Sequence, residues 1–397
     1  MNIKDLRFTP PPHTQKGNKW QRTLLAVAVI SVLFNVLAVL PYIQPYYNKV
    51  QKKLFPTEHF TNTTPDKEVL EKVCKATVEL DGVKMSMNEL KGLPEDLKSF
   101  FRSKRNTSAK NNFFTSYAMV GASYYAMQQN DSLTMDELKR KTEDFIDFQH
   151  GCLNYPIVKV DQAPIGLLLL NLYKWYKDER YMKVVKNLYT TVKDMKDSQD
   201  RLLYAGKVAK ADYVDALGMY VPFFMEYFKE TNDSTAFVLV NRNMERYQQH
   251  AVNDKTGIPA HGYDLRSGIP VGSANWGRGI GWYLLAAAYC PQMQDSILNH
   301  TLAKVDYTQF PGNSEQFDSS TALMFEIYKQ SKDKKRKLSL DFIKPYVMTT
   351  GFVDNCSGDT YDFNDYSHTF SESELCNGLL LILASKFDNS QSENEQN

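Results

Sequence analysis

Two kinds of helical segment alternate along most of the chain, one almost wholly apolar and one with a charged face. Residues 160–188 and 214–244 each begin with Val-Asp, run through an apolar segment, turn at a short polar stretch and continue into a more charged segment. A further copy begins at Asp318, and a degenerate copy covers residues 111–145. A repeat of roughly fifty residues with two helices per copy indicates an array of helical hairpins.

The difference between the two segments predicts how the hairpins assemble. The first helix of a copy is apolar on nearly every side, as in residues 165–170 and 221–225, whereas the second carries charges such as Lys183 and Arg242. A helix that is apolar all round needs packing neighbours in every direction. We therefore predict an all-α fold of about a dozen helices, in which six hairpins close into a double-layered (α/α)6 barrel with the first helices inside.

Aspartates at the starts of the apolar helices form a candidate site. In a closed ring these helix ends face one cavity, so Asp161, Asp215 and Asp318 are expected to meet there. Aspartate is also a favoured N-cap residue, and the Ser-Ser-Thr run after Asp318 indicates that capping is its main role. For Asp161 and Asp215, capping and chemistry are compatible with each other.

The N-terminal region has a different pattern. Residues 24–40 carry no charge and are interrupted only by Ser31 and Asn35. A helix over this run rises roughly 25 Å, a little less than the hydrocarbon layer of ~30 Å, and residues 41–43 extend its apolar character. Flanking aromatic residues and an excess of basic residues upstream predict a transmembrane signal anchor over residues 24–43. A cleaved signal peptide and a buried helix are the alternatives.

The anchor defines the predicted organisation of the chain and makes the membrane one of its partners. We expect a cytoplasmic leader over residues 1–23, a proline-containing stalk over 44–68, the barrel domain over 69–388 and a disordered tail over 389–397. The barrel domain would then lie in the periplasm or outside the cell.

Composition excludes several classes of function. With 47 Lys and Arg against 46 Asp and Glu, the charge is nearly balanced, so no nucleic-acid partner is expected. The five cysteines are scattered, without a CxxC motif or a histidine at zinc-ligand spacing, so we expect neither a metal nor another cofactor. Cys356 and Cys376 could pair, although buried free thiols are the simpler interpretation.

The segment from Pro259 to Trp282 carries the clearest candidate chemistry. It is rich in glycine and aromatic residues and contains His261, Trp276 and Arg278. Glycine lets a loop approach a ligand closely, and a guanidinium can bind a carboxylate. With aromatic faces for a sugar ring, the segment suits a sugar acid, but packing of Arg against Trp explains the same composition equally well.

These residues resemble a known family. The motif WGRGIGW, the stretch GIPAHGYD and the helix starts VDALGMYVPFF and VDQAPIGLLLLNLY are similar to those of the unsaturated glucuronyl and rhamnogalacturonyl hydrolases, glycoside hydrolase families 88 and 105. The resemblance extends from about residue 110 to the end of the chain. It implies an (α/α)6 barrel, in agreement with the hairpin count.

The resemblance also implies a reaction on oligosaccharides that end in a 4,5-unsaturated uronic acid, the group that polysaccharide lyases leave behind. An acid protonates C4 of the vinyl ether, water adds at C5, and the resulting hemiketal opens and expels the aglycone. By motif match, Asp215 is the general acid and base, and Asp161 assists it and binds the sugar. The positions expected to line the substrate pocket are His261, Trp276, Arg278, Trp282, Tyr213 and, with core packing as its alternative, Tyr117.

The stretch LLYAGKVAKADYVD before Asp215 departs from the family pattern. Members often carry a histidine about ten residues before the catalytic aspartate and a tryptophan two residues before it, whereas this chain has no histidine there and Tyr213 at the second position. Tyrosine can still stack on a sugar, so the departure affects the expected substrate choice more than the expected catalysis.

Two other functions remain open. Many (α/α)6 barrels are ordinary glycosidases or polysaccharide lyases, because a fold does not determine a reaction. The non-enzymatic alternative is a membrane-held glycan-binding or polysaccharide-assembly protein with a degenerate site. Retention of both Asp161 and Asp215 favours the hydrolase.

Overall fold

The computed structural model describes most of the chain in two compact units. Residues 20, 22–36 and 50 belong to the first unit. The described residues of the second are 54, 57–80, 112–204, 209–272, 276–290, 292, 296–304, 317–358, 360–362, 365–366 and 370–388.

In the first unit, residues 22–36 form a helix, in which the side-chain amide of Asn35 donates to the carbonyl oxygen of Ser31 at 2.7 Å. None of the helices in the described ranges combines the length and the apolar character that a membrane crossing requires. The signal anchor predicted over residues 24–43 is therefore not supported, and its residues 37–43 lie outside the described ranges. So do the tail over 389–397 and nearly all of the leader, and the cellular location stays a prediction.

Eleven α-helices lie within the described ranges of the second unit. In chain order they are α1 (Asp66–Glu79), α2 (Phe113–Gln129), α3 (Ser132–Glu143), α4 (Ile165–Tyr176), α5 (Glu179–Lys193), α6 (Val214–Thr231), α7 (Ser234–Ala251), α8 (Gly277–Tyr289), α9 (Ser296–Leu302), α10 (Ser319–Lys332) and α11 (Glu374–Lys386).

Six of these helices form a closed inner ring. α2 packs against α4, α4 against α6, α6 against α8, α8 against α10 and α10 against α11, and α11 packs back against α2. The other five alternate with them along the chain, and the connection from α10 to α11 contains a short 3-10 turn, Lys344–Tyr346. The predicted helical barrel is confirmed in its inner ring, and the described outer layer has five helices and this turn.

Burial differs between the two layers as the sequence pattern predicts. Every residue of α8 is buried, and so are residues 374–384 of α11. The outer helix α5 instead buries one face through residues such as Val184, Val185 and Leu188. The apolar segments are therefore the inner helices, because only a position inside the ring covers all their sides.

Three hairpins turn through the same two-residue device. The inner helix ends at a residue in the left-handed conformation, which reverses the chain, and the next residue is an aspartate whose side chain accepts a hydrogen bond from the first turn of the outer helix. The three pairs are Asn130–Asp131, Lys177–Asp178 and Asn232–Asp233.

Short antiparallel strands, which the all-α prediction did not include, lie in the connections. β1 (Ile146–Asp147) pairs with β2 (Cys152–Leu153), and β3 (Ala211–Tyr213), β4 (Gly262–Asp264) and β5 (Pro270–Val271) form one sheet in that order. β6 (Cys356–Ser357) pairs with β9 (Phe370–Ser371), and β7 (Thr360–Asp362) pairs with β8 (Asp365–Tyr366). β3 runs directly into α6, so the sheet is fixed at the start of that inner helix.

Part of the predicted stalk packs on the barrel. The backbone N–H of Phe60 donates to the carbonyl oxygen of Val347 at 2.8 Å, and that of Thr349 donates to Glu58 at 2.9 Å. α1 begins at Asp66, within the predicted stalk. Residues 57–68 therefore belong with the helical domain, and residues 51–53 and 55–56 lie outside the described ranges.

We predict that Gly121→Ala destabilises the protein. A Cβ atom on Gly121 of α2 would overlap the backbone of Gly378 in α11, and one on Gly378 would overlap the backbone of Tyr117. The expected loss is about 1–3 kcal/mol in the free energy of unfolding, from overpacking, although alanine gains about 1 kcal/mol over glycine in helix propensity. Urea denaturation measures it.

Gly281→Ala is the matched control. Gly281 also lies in an inner helix, but an added methyl group there meets the side chain of Met324, whose end can move. A smaller loss is expected for this variant. Equal stability of the two variants would contradict a direct backbone contact between α2 and α11.

Candidate active site

The N-terminal ends of the inner helices bring the predicted residues together. Asp161 lies in a 3-10 turn, Val160–Gln162, just before α4, and this turn packs against α6. Asp215 is the second residue of α6, and Arg278 is the second residue of α8. The repeat therefore places comparable positions of successive hairpins at one end of the ring.

Asp215 is a half-buried residue with an unpaired oxygen. Its Oδ1 atom is buried and has no hydrogen-bond partner among the described residues. Burial is the main cause that raises the pKa of Asp215 to about 7; the Arg278 guanidinium and the backbone N–H of Asp215 oppose the rise, and the Asp161 carboxylate adds to it. Because an apolar wall solvates a carboxylate poorly, this environment favours the protonated acid.

Asp161 accepts a hydrogen bond from a side chain, and none is found for Oδ1 of Asp215 among the described residues. The hydroxyl group of Tyr204 donates to Oδ2 of Asp161 at 3.0 Å. Burial raises the pKa of Asp161, while this hydrogen bond and the positive charge of Lys159 lower it. The two carboxyls interact electrostatically but are solvated differently, which is the condition under which one of them holds a proton beside an ionised partner.

A row of aromatic rings adjoins the start of α6. The rings of Tyr213 and His261 meet edge to face with centroids 5.9 Å apart, and His261 lies against Trp276 with centroids 4.0 Å apart. The backbone N–H of Val214 donates to the carbonyl oxygen of His261 at 3.0 Å, which ties the two elements together. The structure thus assembles three of the predicted pocket residues beside Asp215.

The two amino groups of Arg278 form hydrogen bonds with other parts of the protein. It is buried, and its two amino groups donate to the Gly358 carbonyl oxygen at 2.8 Å, to Oδ2 of Asp318 at 3.0 Å, and to the carbonyl and hydroxyl oxygens of Ser357. Its Nε atom is buried and has no hydrogen-bond partner among the described residues, and the predicted contact with a substrate carboxylate stays a prediction. The geometry favours a role in holding the segment around Ser357 against α8.

Asp318 is the capping residue that the sequence predicts. Its Oδ1 accepts from the backbone N–H of Thr321 at 3.0 Å, and its Oδ2 accepts from the backbone N–H of Ser357 at 2.7 Å. Burial opposes ionisation, but the Arg278 charge and the hydrogen bonds, including one from Ser320, outweigh it and lower the pKa of Asp318. Both oxygens of this carboxylate accept hydrogen bonds from the protein, so it stays ionised and is not suited to act as an acid.

Trp282 and Tyr117 lie in the core between inner helices. Trp282 is buried against Gly218 of α6, where a Cβ atom would meet the indole at 2.6 Å. The ring of Tyr117 packs beside this indole, with centroids 6.0 Å apart, and its hydroxyl group donates to the carbonyl oxygen of Gly218. Their predicted place among the pocket residues stays a prediction, and the geometry gives both a packing role.

Three polar residues at the site end of the ring, Asp212, Tyr204 and Ser357, were not predicted from the sequence. Asp212 is buried in β3 opposite Tyr263, and burial raises its pKa to about 7, although Tyr263 and the nearby arginines oppose the rise. A charged residue within the short apolar run before Asp215 was the available signal. Tyr204 and Ser357 gave no signal, because their partners lie far away in the sequence.

The described residues contain neither a metal-binding cluster nor a disulfide bond. There, no group of three or more His, Cys, Asp or Glu side chains is arranged to hold a metal ion. The cysteines are free thiols, so the disulfide considered for Cys356 and Cys376 is not formed. Burial and the neighbouring Cys356 raise the pKa of Cys376 well above its usual range, which keeps this thiol unreactive.

The chain is similar to known glycoside hydrolases. A family model described as Glycosyl Hydrolase Family 88 matches residues 100–310. A possible GH105 family member from Klebsiella pneumoniae has a TM-score of 0.64 at 12% identity, with 82% of this chain and 94% of that chain covered. A family 105 glycoside hydrolase from C. acetobutylicum has a TM-score of 0.58 at 15% identity, with 73% and 97% covered.

The same fold occurs in another sugar-cleaving family. A GH76A alpha-1,6-mannanase from Salegentibacter has a TM-score of 0.53 at 14% identity, with 80% of this chain and 98% of that chain covered. At such identities, likeness between structures establishes the fold alone, whereas the matched family model concerns the sequence itself.

We predict that Asp318→Ala strongly destabilises the protein, because it leaves the Arg278 guanidinium buried without its counter-ion. Breaking a buried ion pair in this way costs about 3–5 kcal/mol, measured as the free energy of unfolding in urea. Asp178→Ala is the matched control, since Asp178 also caps a helix and pairs with an arginine, Arg180, but at the surface. Similar losses in both variants would contradict the structural role of the buried pair.

A second prediction concerns Asp215→Asn and pH. A buried acid with a raised pKa binds more protons folded than unfolded between its usual 3.8 and about 7, so its contribution to stability declines as pH rises across this window. Asparagine removes the effect, so the variant should exceed wild type in unfolding free energy at pH 8 by up to about 4 kcal/mol, with no gain near pH 4.

For Asp318→Asn, we expect the opposite dependence of stability on pH. The pKa of Asp318 is lowered, so its stabilising contribution is present at neutral pH and lost on acidification. Urea denaturation of both variants at several pH values separates the two cases. A stability difference between Asp215→Asn and wild type that does not change with pH would show that Asp215 is ordinarily solvated.

Proposed function

This chain belongs to Glycosyl Hydrolase Family 88, and we propose that it removes a 4,5-unsaturated uronic acid from the non-reducing end of lyase-generated oligosaccharides. Membership makes it a glycosyl hydrolase, and the unsaturated uronate is the proposed substrate. Support for this choice comes from the carboxyl pair and from the aromatic row beside it.

The observation that carries the proposal is the buried Oδ1 atom of Asp215, which has no hydrogen-bond partner among the described residues. A carboxyl with a pKa of about 7 is protonated in about half of the molecules at neutral pH and in nearly all of them in mild acid. Hydration of a vinyl ether needs a proton delivered to carbon, so its catalyst must hold an acid at the working pH. Asp215 meets this need because its Oδ1 atom is buried without a partner among the described residues.

In the proposed reaction, Asp215 transfers its proton to C4 of the C4=C5 bond, and the positive charge that develops is shared by C5 and the ring oxygen. Water adds at C5 and returns a proton to the Asp215 carboxylate, which restores the acid. The hemiketal at C5 then opens, and the hemiacetal left at C1 expels the protonated aglycone. One water molecule is consumed and one glycosidic bond is broken.

Asp161 and the aromatic row have distinct proposed roles. The Asp161 carboxylate stabilises the positive charge that develops on the sugar ring and accepts a hydrogen bond from a sugar hydroxyl group. Tyr213, which is half-buried, offers the ring face on which the sugar lies, and the buried His261 and Trp276 pack behind it. Arg278 is not assigned to the substrate carboxylate, because its amino groups are held by Asp318 and by the Ser357 and Gly358 segment.

We predict that Asp215→Asn reduces kcat by at least about a hundredfold, because general acid catalysis contributes on the order of 10²–10⁴ in rate. The full chain is incubated with lyase-generated unsaturated oligosaccharides, and loss of the near-ultraviolet absorbance of the C4=C5 bond is followed. Asp233→Asn, which changes an aspartate at the tip of an outer hairpin, is the matched control and should retain wild-type turnover.

The other functions give different results in the same assay. Turnover of unsaturated substrates that survives Asp215→Asn would remove Asp215 from the mechanism. New absorbance from intact polysaccharide would identify a lyase instead, and sugar binding without any change in absorbance would identify a glycan-binding protein.

A further inference from the structure

Tyr204 occupies a notable place beside the carboxyl pair. Its hydroxyl group donates to Oδ2 of Asp161 at 3.0 Å, and its ring meets that of Tyr213 edge to face with centroids 6.4 Å apart. Tyr204 lies eleven positions before Asp215 in the sequence. Through these two contacts it links the Asp161 carboxyl to the aromatic row beside Asp215.

The position of Tyr204 is set by its neighbours in the chain. Leu202 and Leu203 are each 1% exposed, and the backbone N–H of Leu202 donates to Oδ1 of Asn243 in α7 at 3.1 Å. These contacts anchor the segment on the barrel just before Tyr204. The backbone next to Tyr204 is therefore held in place, which positions its hydroxyl group for the hydrogen bond to Asp161.

We infer that Tyr204 is a positioning residue that holds Asp161 as the ionised partner of Asp215. The inference rests on the proposed function for its kinetic consequences only. The arrangement of Tyr204, Asp161 and Asp215 is a property of the folded protein before any substrate binds.

The charge of Asp161 explains how a hydrogen bond to this carboxyl also affects the pKa of Asp215. Tyr204 and Lys159 act on Asp161 and favour its charged form, in opposition to burial. Arg278 and Asp161 act on Asp215 with opposite signs, and only a charged Asp161 strengthens the hold of Asp215 on its proton. Removal of the Tyr204 hydroxyl group should therefore make Asp161 harder to ionise and Asp215 easier to ionise.

The test compares Tyr204→Phe and Tyr204→His with wild type by carbon-13 NMR titration of aspartate carboxyls in the full chain without substrate. In Tyr204→Phe, the midpoint of Asp161 should move to higher pH and that of Asp215 to lower pH. Tyr204→His, which keeps a donor, should lie closer to wild type. The alkaline limb of kcat against pH should move to lower pH in Tyr204→Phe, with kcat at neutral pH reduced about three- to tenfold.

Tyr176→Phe is the matched control, because Tyr176 donates to Asp136 at 2.6 Å in a tyrosine–aspartate pair outside the site. It should leave both midpoints and the pH profile unchanged. Unchanged Asp161 and Asp215 midpoints in Tyr204→Phe would overturn the inference, even if activity fell. If wild type left unsaturated oligosaccharides intact, the proposed function would fail while the NMR titration still decided the role of Tyr204.

Discussion

Closure of the inner ring is the constraint on which the rest of the structure depends. α2 and α11 come from opposite ends of the barrel sequence and meet through Gly121 and Gly378, where backbone lies against backbone and no side chain intervenes. Once the ring is closed, the starts of the inner helices are surrounded by apolar walls, and a carboxyl placed there loses much of its hydration. The raised pKa at the site is thus a consequence of packing that involves neither Asp161 nor Asp215, the residues proposed to be catalytic.

Three aspartates at comparable positions of the repeat show how local partners determine what a buried carboxyl can do. Asp318 receives hydrogen bonds at both oxygens and an arginine, and stays ionised as a structural anchor. Asp161 receives the Tyr204 hydroxyl. Asp215 leaves one buried oxygen unpaired among the described residues, and its pKa is raised to about 7. The number of donors around each carboxyl, more than its depth, distinguishes the capping Asp318 from Asp215, the proposed acid.

The sequence predicted the features that depend on near neighbours. Hydrophobic periodicity predicted the paired helices and the inner ring, and the Ser-Ser-Thr run predicted the cap at Asp318, because both are local properties. Roles that depend on a distant partner were not predictable: the commitment of Arg278 follows from Ser357, and the burial of Trp282 follows from Gly218 in another hairpin. The predicted anchor over 24–43 rested on the length of an uncharged run and on its aromatic and basic flanks, and it has no support among the described helices.

The use of a tyrosine as the hydrogen-bond donor to Asp161 has a chemical consequence. Histidine changes its charge within the neutral range, whereas a phenol ordinarily stays protonated until about pH 10 and donates a hydrogen bond throughout. With Tyr204 as the donor, the group that supports Asp161 is a phenol and not an imidazole. The pH dependence of this site therefore follows the protonation of Asp161 and Asp215, the two carboxyls that influence each other.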